Sequence, residues 1–151
     1  MAATQDRDFY AEARLLIRNV KAATLATCEA GIPHAALVTV AFMPDASPVL
    51  LLSELAIHTQ QLIANPRCAL LLTGEANGPN AQTTARLCLT GTAAKTENSA
   101  CAIFLQRHPY ADLYAGFSDF AFWVLSLTDS YYIGGFGAAR KLVVAKLSTP
   151  Q

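Results

Sequence analysis

The stretch Val49-Leu50-Leu51-Leu52-Ser53 constrains the fold most, because four consecutive apolar residues leave a strand no face for water. The turn cluster Met43-Pro44-Asp45-Ala46-Ser47-Pro48 delivers the chain into it. Around it the sequence reads as short β-rich segments cut by turn signals. Ala22 to Cys28 runs to the turn Glu29-Ala30-Gly31, and Pro33 opens a second run through Phe42, so the pair predicts a hairpin. Arg67 to Thr73, Thr84 to Ala94 and Phe120 to Ile133 read as further strands, the last ending in Gly134-Gly135-Phe136-Gly137, and Leu142 to Leu147 reads as an edge strand. Phe9, Ala13, Leu16, Ile17 and Val20 recur at helical spacing behind Asp6 and Asp8, which suit a helix N-terminus. A short helical pattern over Ile57 to Ala64 is closed by Asn65-Pro66, and Ser99 to Arg107 and Pro109 to Ala115 also read as helical. The expectation is a mainly β fold in which the strands close into a barrel with flanking helices, since closure removes edges that such apolar strands would expose. A sandwich is the alternative.

Composition narrows the function. The chain has 151 residues, the size of one ordinary domain, and we expect a single domain over 1–151. Hydrophobic residues make up 53% and charged ones only 15%, so part of the apolar surplus is expected in a subunit interface. Eleven basic residues balance eleven acidic ones, which argues against nucleic acid as a partner. The polar, acidic opening Met1-Ala2-Ala3-Thr4-Gln5-Asp6-Arg7-Asp8 does not read as a secretion signal, and no apolar run approaches the roughly 20 residues of a spanning helix. A cytoplasmic protein without membrane segments is expected. Cys28, Cys68, Cys88 and Cys101 lie too far apart for a paired-thiolate motif and read as buried small hydrophobes.

Candidate chemistry sits in a few places. His58 and Thr59 stand at a helix start, where unpaired amides favour an anion, although by residue type alone they are equally a surface histidine and a simple cap. Arg86 offers a fork of donors at a strand end. His34 and His108 adjoin prolines and read as structural, and no histidine lies at metal-ligand spacing. Gly134 to Gly137 lacks the strand-turn-helix frame of a dinucleotide fingerprint, and Ser53 lacks the glycines of a nucleophile elbow. Tyr110, Tyr114, Phe117, Phe120 and Trp123 read as core or interface.

Leu50 to Arg67, containing the strand, the helix and the Asn65-Pro66 turn, resembles the pyridoxamine 5'-phosphate oxidase-like superfamily of FMN-binding split barrels, a Greek-key type. Pro33 to Val38 and Arg86-Leu87-Cys88-Leu89-Thr90-Gly91 are similar to neighbouring strands of that superfamily, while Arg107-His108-Pro109, Tyr114 to Phe120 and Gly134 to Gly137 resemble its haem-utilisation branch. The resemblance implies a homodimer with FMN in a cleft between two barrels. Ala36, Leu37, Val38 and Thr39 would run alongside the flavin, and Leu52 and Ser53 would flank it. His58 and Thr59 would meet its phosphate, with Ile57 beside them in the cofactor site. Arg86 would face the polar edge of the ring, and Phe117, Ser118 and Phe120 would come from the opposite subunit. Where oxidases proper place arginine and lysine to clamp the phosphate, this chain has Ala36 and Ala41. The tryptophan and the arginine-histidine pair that receive the pyridoxal substrate are unmatched near Ile133 to Lys141. The implied function is an FMN-binding oxidoreductase acting on a small molecule. The alternatives are a protein that binds or handles haem, and a flavin module without turnover.

Overall fold

The computed structural model describes residues 7–97 and 99–148, and the expected helix-start role of Asp6 lies outside them. Helix α1 (Phe9–Asn19) is followed by strands β1 (Ala22–Glu29), β2 (Ile32–Thr39), β3 (Ala41–Phe42) and β4 (Pro48–Ser53). Then come α2 (Ile57–Ala64), β5 (Arg67–Thr73), β6 (Arg86–Thr96), α3 (Ser99–Arg107), α4 (Asp112–Ala115), β7 (Phe120–Ile133) and β8 (Ala139–Leu142). All pairings are antiparallel, and the strands follow the order β2-β1-β5-β6-β7-β4-β3, with β8 added to β7.

Strand alternation builds the core. Ala23, Leu25 and Thr27 of β1, Cys68, Leu70 and Leu72 of β5, and Leu87 and Leu89 of β6 all turn inward and are buried, while most of their neighbours along each strand do not. Helix α1 closes over this core with Ala13, Leu16 and Ile17, its N-terminus capped by Asp8, whose Oδ1 accepts from the Ala11 amide at 3.0 Å. Strand β4 has no wet face, as its composition requires. Leu50 and Leu52 belong to the barrel core, whereas Val49 and Leu51 pack with Ala100, Phe104 and Ala111 beneath α3.

Two expectations fail in detail. The run from Pro33 to Phe42 is not one strand: it breaks at Val40, where the chain leaves β1 and takes up β4. Ala22 pairs with Thr39, Ala41 pairs with Val49, and the Val40 amide donates to the Lys21 carbonyl at 3.0 Å. The barrel therefore closes through a bent chain rather than a continuous ladder, and β2 never pairs with β4. The second failure is at the C-terminal end, where β8 occupies Ala139–Leu142 and Val144–Lys146 forms a 3-10 turn instead of an edge strand.

The Arg107-His108-Pro109 stretch fastens this break. One Arg107 Nη2 donates to the carbonyls of Arg18, Asn19 and Val20 at 3.1 to 3.3 Å, capping the end of α1. His108 is buried, with Nε2 at 2.8 Å from the Val40 carbonyl and Nδ1 at 3.1 Å from the Tyr110 hydroxyl. A carbonyl can only accept, so Nε2 carries the proton and Tyr110 donates to Nδ1. Among the described residues no helix is long and apolar enough to cross a membrane.

Candidate functional site

The failure of β2 to pair with β4 leaves two strand edges whose backbone groups have no ladder partner. On β4, β3 takes up only Pro48 and Val49, so the side of Leu50 to Ser53 that faces away from β7 stays free. On β2, no described strand pairs with the side away from β1. A groove of about 400 Å³ opens along this split, within the size range of small-molecule sites. Strand β2 supplies Leu37, Val38 and Thr39, and β4 supplies Leu51, Leu52 and Ser53. Ala56 and His58 cover one end, and Tyr114 and Phe120 form an aromatic wall, their ring centroids 5.1 Å apart.

Helix α2 is fixed against the sheet by two amide side chains. Gln61 accepts from the Thr27 hydroxyl at 2.6 Å and donates to the Ile32 carbonyl at 3.3 Å, and Asn65 donates to the Cys28 carbonyl at 2.8 Å. These bonds bring His58 to the inner side of β2, where its ring lies 6.5 Å from that of His34 with the planes 16° apart. Burial lowers the His58 pKa, and the neighbouring His34 lowers it further. Burial raises that of Tyr114, with Tyr110 adding to the effect. Ala56 precedes α2 without a side-chain cap, leaving the first-turn amides open.

The structure thus gathers Leu37, Val38, Thr39, Leu52, Ser53, His58 and Phe120 in one groove. Phe120, expected from an opposite subunit, lines the groove of its own chain because it pairs with Ser53. Phe117 packs edge-on against Phe120 at 6.3 Å and, like Ser118, is exposed. Ala36 precedes the lining residues on β2, and Ile57 points to solvent. Thr59 is fully buried off the wall, and its Oγ1 has no partner. Arg86 does not line the groove. It sits between Thr73 and Ile133, and its guanidinium donates to the carbonyls of Ala81, Gln82 and Thr84 at 3.2 to 3.5 Å, holding its own loop. Ser53 is likewise committed, donating to Asp119 Oδ2 at 2.8 Å while accepting from the Leu55 amide.

Leu51, Ala56 and Tyr114 were not singled out for the site by sequence. Tyr114 carried a signal, since it stands among the aromatics between Tyr110 and Trp123. The described wall residues include no lysine or arginine, so the two negative charges of a flavin phosphate would meet a single imidazole whose pKa burial lowers. Apolar side chains and free strand edges instead suit a flat, mainly apolar ligand with polar groups at its rim.

The CREG β-barrel family matches residues 5–148. This chain belongs to that family. The chain is 34% identical over 113 residues to the chloroplastic non-canonical heme oxygenase HOZ of Arabidopsis thaliana, covering 72% of this chain and 34% of that protein. The chain therefore spans about a third of this curated relative. A heme binding protein from Mycobacterium smegmatis superposes with a TM-score of 0.87 at 27% identity, covering 96% of this chain and 62% of that one. A putative pyridoxamine 5'-phosphate oxidase from Listeria innocua superposes with a TM-score of 0.67 at 13% identity, covering 85% and 100%, and shares the fold alone. The CREG β-barrel assignment fits the split-barrel superfamily and its haem-utilisation branch.

Proposed function

We propose that this CREG β-barrel protein binds haem in the split between β2 and β4. The observation that carries the reading is the groove wall: Leu37, Val38, Leu51, Leu52 and Phe120 are apolar, its described residues include no lysine or arginine, and one imidazole is present. A porphyrin presents a wide apolar face and two carboxylates, and the uncapped start of α2 suits a carboxylate. The Arabidopsis and mycobacterial relatives, both named for haem, support the same reading. A second copy of the chain is the proposed cover, because Leu37, Leu55, Leu113 and Phe117 are exposed. A reducing, cytoplasmic setting accords with the four free cysteines.

A flavoprotein is the second reading, favoured by the free β2 edge that could hydrogen-bond a flavin rim, and opposed by the absence of a phosphate clamp. Incubating the purified protein with ferric haemin or FMN, followed by gel filtration with absorbance and light scattering, separates the two. A Soret band travelling with a dimer is the expected result. Flavin bands retained in place of a Soret band would overturn the haem reading, and a monomeric haem complex would overturn the proposed cover.

A further inference from the structure

Haem iron in proteins takes its axial ligands from histidine, cysteine, methionine or tyrosine. Among the described residues of the groove wall, only His58 and Tyr114 carry such a donor. The four cysteines, His34 and His108 lie off it, and both ring nitrogens of His108 are occupied. We infer that His58 is the side chain through which this chain ligates iron in the split, with Tyr114 a wall residue and not a ligand; the inference rests on the haem reading above.

Three observations carry it. The first is placement: Gln61 and Asn65 anchor α2 to β1 and β2, so His58 is presented to the groove by a helix that cannot swing away without breaking these bonds. Pre-organised ligands lose little entropy on binding. The second is availability: among the described residues, neither ring nitrogen of His58 has a protein hydrogen-bond partner, whereas Ser53 on the same wall is tied to Asp119. The third is donor type: at neutral pH an ordinary imidazole offers iron a lone pair, whereas an ordinary phenol must first give up its proton.

The test uses the full chain and ferric haemin as the titrant. In the wild type, reduction of the complex should give a resonance Raman iron-imidazole stretch that moves when histidine is labelled with heavy nitrogen. His58→Ala should lose that band, shift the Soret maximum and bind haemin about 10-fold more weakly or worse, since even an outer-shell change around a metal ligand costs that much. Free imidazole should restore the wild-type spectrum to His58→Ala, which a purely structural role would not allow. Tyr114→Phe and His34→Ala should keep the band. A wild-type complex that binds haemin without an iron-imidazole band overturns the inference and leaves the haem reading standing, and this needs no variant to fold. Unchanged spectra and affinity in His58→Ala overturn it in the same way. A wild type that takes up no haemin overturns both.

Discussion

Replacing His108 tests whether the break that makes the groove is held by one hydrogen bond. His108→Ala removes a ring that is 1% exposed and packed at 4.8 Å from the Phe104 centroid, and leaves the Val40 carbonyl without its partner. An unsatisfied buried acceptor costs about 1–3 kcal/mol, and the cavity left by a small aromatic ring adds about 2 kcal/mol. The expected loss is therefore about 3–5 kcal/mol. In a chain of this size each kcal/mol moves Tm by roughly 2–4 °C, which predicts a drop of roughly 6–20 °C in calorimetry.

Two further substitutions divide that loss. His108→Phe fills the space and removes only the bond to Val40, so it should fall by about 1–3 kcal/mol. Tyr110→Phe removes a donor on a residue that is 53% exposed and should cost under about 1 kcal/mol. Amide exchange at Ala41 and Phe42 should quicken in both His108 variants, because Val40 is the elbow between β2 and β3. If His108→Phe melts within about 0.5 kcal/mol of the wild type, the hydrogen bond does not hold the elbow and the reasoning is wrong.

Gly91→Ala should destabilise the chain by about 1–3 kcal/mol in thermal melts, because an added Cβ would collide with the Ser126 carbonyl at the bulge between β6 and β7. Its backbone needs no left-handed angle, so a wild-type Tm would mean that the strands part freely there. Burial pushes the Cys68 thiol up to about 11 from 9.0, so mass spectrometry at mildly alkaline pH should find alkylation of Cys68 about 100-fold slower than for an ordinary thiol. Equal labelling of all four cysteines would refute the packing of β5. The His58 pKa is lowered from 6.5, so the unfolded chain binds that proton first and stability should fall as pH drops below about 6.5 toward the folded value. His58→Gln should flatten this slope in denaturant titrations, and an unaltered slope would show that the burial is not felt.

Local pattern reveals the strands but not the seam. In β1 and β5 the alternation alone names the buried face, and in β4 the lack of alternation correctly announces cover on both sides. The break at Val40 leaves no such trace. No glycine or proline marks it, and Ala35 to Phe42 reads as one β-rich run. What bends the chain is a partner on the far side of the sheet, Val49 opposite Ala41, which no window of neighbouring residues contains. The site divides in the same way: residues on the two strand edges, Leu37 to Thr39 and Leu52 to Ser53, are placed by register. Tyr114 and Ala56 reach the groove through tertiary folding, and Arg86 is drawn off by carbonyls of a loop whose course the sequence does not show.

The split has an energetic consequence that links fold to function. Had β2 and β4 zipped together, their backbone groups would be paired and no groove would exist; left apart, they expose two edges beside Leu37, which is 80% exposed. Free edges next to apolar side chains invite pairing with other chains, and proteins that keep them cover them. Leu55 at 83% and Leu113 at 81% add to the apolar surface. A flat ligand in the groove and a second copy over these residues would bury what the lone chain leaves open. Binding and association would then each strengthen the other, so haemin should shift the monomer-dimer equilibrium toward dimer, and sedimentation that shows equal dimerisation with and without haemin would break that coupling.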